Sequence, residues 1–73
     1  MKTYVTFGQD HVHRVNGKTF DHNCVAVIES PSSEEGRAKA FELFGPKFCF
    51  EYFDTEWDEK SMKYYPRGYM EVE

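Results

Sequence analysis

Residues 7–24 read FGQDHVHRVNGKTFDHNC, and how this stretch folds decides how the rest of the chain is arranged. It holds all three histidines, one of the two cysteines and the only Asn-Gly pair. Asn16-Gly17 is a strong short-range hairpin signal, because a type I′ turn needs positive φ at both central residues. A turn there sets a register in which Val15 faces Lys18, His13 faces Phe20, His11 faces His22 and Phe7 faces Ala26. Side chains alternate along strands, so odd residues of the first strand share a face with even residues of the second. One face then carries Val5, Phe7, His11, His13, Val15, Phe20, His22, Cys24, Ala26 and Ile28, and is expected to form the core. The other carries Tyr4, Thr6, Asp10, Arg14, Thr19, Asp21, Asn23, Val25, Val27 and Glu29. Gly8 and the length of the span predict a bulge or break that shifts this pairing.

Working outward, Lys2–Phe7 is β-branched and aromatic, a good first strand. Ser30 to Gly45 reads as a helix marked at both ends. Ser32 and Glu35 form a capping box, Glu34 and Glu35 suit the positive end of the helix dipole, and Gly45 followed by Pro46 stops it. Arg37, Ala38, Phe41 and Phe44 fall on one helical face, with Ala40 flanking, and Phe41 and Phe44 are expected to anchor it on the hairpin. Gly36 in the first turn costs about 0.5–1 kcal/mol relative to Ala, which predicts a close approach by another backbone. Lys47–Phe53 (KFCFEYF) reads as a third strand. Asp54 to Ser61 is acidic, with one helical turn expected around Trp57. Met62–Tyr65 and Tyr69–Val72 are strand-like and flank the turn residues Pro66-Arg67-Gly68. The expected fold is α+β: a small antiparallel sheet, ββαβ plus a C-terminal strand or hairpin, with one helix packed on one face.

The chain of 73 residues fits a single domain, 1–73. A chain this short buries only about 60–65% of its unfolded surface. Seven Phe, five Tyr and one Trp compensate, since aromatics bury the most area per residue. No apolar run of about seven residues follows Met1, the expectation being no secretory signal, and no run of about 18 is present for a membrane span. Cys24 and Cys49 are expected to be reduced thiols in a cytosolic setting, though the sequence leaves a Cys24–Cys49 bridge open. The net charge is −4. Residues 1–49 hold six acids and six bases, whereas residues 50–73 hold seven acids and three bases, so the imbalance lies in the last third. This disfavours nucleic acid, which wants a basic footprint, and suits a basic protein partner.

Four groups of residues could carry chemistry. His11, His13, His22 and Cys24 supply four nitrogen and sulfur donors of the kind tetrahedral zinc takes. Their H-x-H and H-x-C spacing is not that of recurrent zinc sites, and the plainer expectation is histidines at the hairpin's outer end bonded to Asp10 and Asp21. No cofactor is therefore expected, with zinc as the alternative. His11 or His13 as a base with Cys24 as nucleophile would make an enzyme, but a strand in so small a domain offers little concavity, and Cys24 reads as a structural core residue. The chain is thus expected not to be an enzyme. Lys63-Tyr64-Tyr65-Pro66-Arg67-Gly68-Tyr69 interleaves aromatics and bases as single-strand binders do; against this stands the acidic run just before it. That run, Glu51, Asp54, Glu56, Asp58 and Glu59 around Trp57, has the composition of a protein-binding epitope, because Trp is a frequent hot spot. Its plainer reading is a solvated loop with Trp57 turned inward.

The pieces Tyr4-x-Thr6-Phe7-Gly8-Gln9-x-His11-x-His13, Asn16-Gly17-Lys18-x-Phe20-Asp21 and Ala38 to Phe44-Gly45 together resemble a group of short proteins encoded by bacteriophages and prophages. The resemblance covers about two-thirds of the chain and departs at Gly36, where an Ala before the Arg is expected. It implies an origin and a size class more than an activity, and gives no catalytic residues to carry over. Small acidic phage proteins of this kind often bind and block host machinery, anti-CRISPR and other anti-defence proteins among them. The resulting expectation is a non-enzymatic protein in the cytoplasm of the bacterial host, binding a host protein or complex as an inhibitor of a defence or nucleic-acid-handling system. The alternatives are a zinc-stabilised module and a nucleic-acid-binding regulator. A free edge strand such as Tyr69–Val72 could also pair across a two-fold axis into a homodimer.

Overall fold

The computed structural model describes residues 1–45 and 50–72. Pro46 as helix stop, the Lys47–Cys49 start of the third strand, any bridge to Cys49, and Glu73 lie outside the described residues. The elements are β1 (Lys2–Thr6), β2 (His13–Val15), β3 (Lys18–Phe20), β4 (Cys24–Glu29), α1 (Ser33–Phe44), β5 (Phe50–Phe53), a 3₁₀ helix (Glu59–Tyr64) and β6 (Gly68–Glu71). The fold is α+β, with a four-stranded sheet in the order β5-β1-β4-β6 and a two-stranded ribbon, β2-β3.

The Asn-Gly turn forms as its chemistry dictates, with Asn16 at φ 53° and Gly17 at φ 79°. Across it, Val15 pairs with Lys18 and His13 with Phe20. At the base the register differs from a continuous hairpin, because Val5, not Phe7, faces Ala26. Between these fixed points seven residues (6–12) intervene on one side and five (21–25) on the other. The longer side turns on itself, the His11 N–H donating to Gly8 O at 3.0 Å. The shorter turns at Asp21, whose side chain accepts from the Asn23 N–H at 3.0 Å. A shift of two residues preserves the alternation of a period-two strand. Val5, Phe7, Phe20, Cys24, Ala26 and Ile28 therefore still share one buried core with Ala40, Phe44 and Val72. The expected pair His11–His22 is lost, since both lie outside the ladders.

The helix starts where predicted, the Ser32 hydroxyl accepting from the Glu35 N–H at 3.3 Å, and closes with the Gly45 N–H on Phe41 O at 2.8 Å. Its buried face differs from the expected one. Gly36, Ala40 and Phe44 are buried, whereas Phe41 is 45% exposed and lies under the Arg37 guanidinium, 5.7 Å from its ring centroid. The cause is Gly36. A Cβ there would stand 2.2 Å from Thr3 Oγ1, so the bare backbone lets α1 settle on β1 along this line. Phe41, about 140° further round, points away. The close approach inferred at Gly36 is real, but the neighbour is the side chain of Thr3, not a backbone. Of the two expected anchors Phe44 is the buried one, its ring meeting Phe7 at 4.9 Å, His13 at 5.2 Å and Phe20 at 5.5 Å.

The sheet is mixed and not purely antiparallel. β1 runs antiparallel to β4 and β5, but β6 pairs parallel with β4. β5 and β6 consequently run the same way on opposite edges, and joining them takes a crossover of a dozen or more residues. Residues 54–67 supply it, and Met62–Tyr65, expected to be strand-like, belongs to its 3₁₀ helix and the turn that ends it. The Asp58 carboxylate starts that helix by accepting from the Lys60 N–H at 3.0 Å. The second sheet face is therefore also in use: Val25 is fully buried and Val27 nearly so. The Cα radius of gyration, 11.0 Å, is close to the roughly 11 Å expected of one compact domain of this length.

Candidate functional site: the outer sheet face

The face turned away from α1 is built from alternate residues of four strands. Tyr4 lies opposite Val27 and Tyr52, and Tyr69 lies beside Val25, so all five point the same way. Trp57 arrives from the crossover and stacks on Tyr4 at 5.2 Å and 16°. Its indole N–H donates to the Tyr69 hydroxyl at 2.9 Å, and it touches the Tyr52 and Tyr65 rings at 5.3 and 6.2 Å. Trp57 is thus the half-buried hub of an aromatic cluster and not a protruding epitope.

The acidic residues around it divide by role. Glu51 lies opposite Val5, on the helix side, and pairs with Arg37 Nε at 3.0 Å; the sequence grouping placed it with Trp57, from which the sheet separates it. Asp54 accepts from the Lys2 N–H at 3.1 Å and from the Tyr4 hydroxyl at 3.5 Å. Glu56 accepts from the Phe53 N–H at 3.1 Å. Asp54 thereby satisfies a backbone donor at the start of β1 and Glu56 one at the end of β5, as Asp58 does for the 3₁₀ helix. All three remain exposed, as does Glu59, so their charge still projects from this face. The Tyr4 phenol is pushed above its ordinary value, first by burial, then by the Asp54 carboxylate and by Tyr69, with Glu59 adding in the same sense.

Beyond Trp57 the outer face is open. A cleft of about 260 Å³ lies over Val27, walled by Lys2 and Tyr4 on one side and Tyr69 and Glu71 on the other, with Glu59 at its rim. Val27 and Glu71 also border a larger cavity of about 430 Å³ under the end of α1, floored by Ile28, Leu43 and Val72. Of the exposed aromatics, Tyr69 (45%) edges the cleft and Tyr64 (68%) stands on the 3₁₀ helix with Lys63 Nζ 5.1 Å from its ring centroid.

The histidine end of the hairpin is arranged differently from a metal site. His13 packs on Phe7 at 5.7 Å and on Phe44. His11 folds back, Nδ1 accepting from the Gly8 N–H at 3.4 Å, and His22 is exposed on the Asp21 turn. Cys24 is fully buried, its thiol donating to Asp21 O at 3.5 Å. The four candidate ligands therefore do not converge, and among the described residues no group of three or more potential ligands does. Burial pushes the Cys24 thiol up, only partly opposed by its hydrogen bond to Asp21, and a thiol held protonated is a poor nucleophile. Asp21 instead pairs with Arg67 Nη1 at 3.2 Å, which removes one base from the C-terminal aromatic-basic stretch.

Sequence reasoning missed the cleft residues Tyr4 and Glu71, and read Tyr69 only as part of the aromatic-basic stretch and a free edge strand. The signal was present in the strand alternation, which put Tyr4 and Val27 on one face. What was hidden was that a parallel β6 would bring Tyr69 and Glu71 beside them. No described helix is long and apolar enough to cross a membrane. No protein-family model, curated protein or solved structure matches the chain.

Proposed function

We propose that this is a non-enzymatic phage or prophage protein that acts in the cytoplasm of the bacterial host. It binds a basic surface on a host protein or complex, as an inhibitor of a defence or nucleic-acid-handling system. The observation that carries the reading is the open part of the outer sheet face, where Glu59 and Glu71 line a cleft with exposed Tyr69, and where the adjoining crossover carries exposed Asp54, Glu56, Asp58 and Tyr64. Aromatic anchors ringed by one sign of charge suit a partner of the opposite sign, the charges setting the association rate and the rings the contact energy. The phage origin rests on the sequence resemblance, and the inhibitory role on the analogy with small acidic phage proteins. The residues to test are those free of structural duty: Glu59→Lys, Tyr64→Ala and Glu71→Lys together, in affinity capture from bacterial lysate. A partner held by the unmodified chain and lost by this variant supports the reading; equal capture places the interface elsewhere.

A further inference from the structure

Trp57 and the crossover cover only part of the outer face, and the part left open has a definite chemistry. Its floor is the apolar side chain of Val27. The Tyr4 and Tyr69 rings stand at one end, 5.7 Å apart and inclined at 52°. Glu59 and Glu71 bring two carboxylates to the rim, and Lys2 is the one base among the lining residues. Among the described residues neither glutamate carboxylate caps a backbone donor, in contrast to Asp54, Glu56 and Asp58. The Trp57 N–H donates to the Tyr69 hydroxyl and the Trp57 ring stacks on Tyr4, so one tryptophan holds both tyrosines.

An apolar floor, two tyrosine rings, of which Tyr69 is exposed, and two exposed carboxylates suit an arginine side chain. Its methylenes cover the valine, its planar guanidinium stacks on a tyrosine, and its forked N–H groups reach a carboxylate. Lysine carries the same charge, but as a strongly hydrated point that neither stacks nor forks. We propose that this cleft seats an arginine side chain of the partner protein; the assignment rests on the proposed binding of a basic surface and names the group recognised there.

The probe is a short blocked peptide with one central arginine, compared with its lysine and citrulline versions, titrated into the full chain and followed by NMR. The arginine peptide is expected to move the Tyr4 and Tyr69 ring resonances and to bind at least about five-fold more tightly than the citrulline version, a factor that corresponds to about 1 kcal/mol. Glu59→Gln with Glu71→Gln should remove that preference, and Lys2→Met should strengthen binding by removing the competing base. Equal binding of arginine and citrulline, equal binding of arginine and lysine, or shifts confined to other surfaces each overturn the assignment. If the arginine peptide fails while the outer-face triple variant still loses its captured partner, the seat falls and the interface stands. If capture is also unaffected, both fall.

Discussion

Gly36 and Thr3 set how the helix meets the sheet, and the contact between them is tight enough to measure. Gly36→Ala forces a Cβ onto Thr3 Oγ1 and is expected to destabilise by about 1–3 kcal/mol, the usual range for overpacking, although Ala favours helix. Thr3→Ala opens that space, so the double variant should be more stable than the two separate losses imply, a coupling read by urea unfolding of the four proteins. Among the described residues Thr3 Oγ1 is buried without a hydrogen-bond partner, so Thr3→Ala gives up packing and none of the described hydrogen bonds. Cys24 supplies a pH prediction. Its thiol and the Tyr4 phenol are both raised, from ordinary values of 9.0 and 10.0. The folded chain thus holds these protons to higher pH than the unfolded chain does. Their contribution is complete below the unfolded values and is lost as pH rises through the folded ones. Stability should fall above about pH 9, and Cys24→Ala should flatten that fall by up to about 1.4 kcal/mol per pH unit, as read from urea midpoints at successive pH values.

At the scale of elements, the β2–β3 hairpin works as a clasp on β6 and the residue after it. The Asn16 amide donates to Val72 O at 3.2 Å and Lys18 Nζ to Glu71 O at 2.8 Å. Edge strands invite pairing with other chains unless something occupies their free groups, and here a lysine from a neighbouring ribbon occupies one. Asn16→Ala with Lys18→Ala should speed hydrogen exchange at the Val72 amide, which donates to Val27 O, while leaving β1 and β4 amides protected. The hairpin turn, the helix caps and the core face were legible in the sequence because each depends on residues close together in the chain. Asn16-Gly17 states its turn type, Ser32 and Glu35 state the helix start, and alternation states which side chains go inward. The rotation of α1 was not legible, because it depends on Gly36 meeting Thr3, 33 positions away. Nor was the division of the acids between capping and open charge, which required knowing where each backbone donor ends.

Over the whole molecule, the two sheet faces have different characters. The helix side holds the phenylalanine core, with Phe7, Phe20 and Phe44 in mutual contact. The outer side holds tyrosines, the tryptophan and most of the excess acid. Binding that uses the outer face should therefore be separable from stability. Glu59→Gln with Glu71→Gln should shift the unfolding free energy by no more than about 0.5 kcal/mol, as surface changes usually do, while weakening partner binding and flattening its salt dependence. Calorimetric titration at two ionic strengths, paired with urea unfolding, reads both. The strand order has one more consequence, for synthesis. β1 is made first yet lies inside the sheet, between β5 and β4. On the ribosome its second hydrogen-bonding edge must wait for residues 50–53 to emerge, and β4 must wait for 68–71. The nascent chain can close its Asn-Gly turn and its helix early, but it acquires its complete sheet only once residues 68–71 have left the exit tunnel.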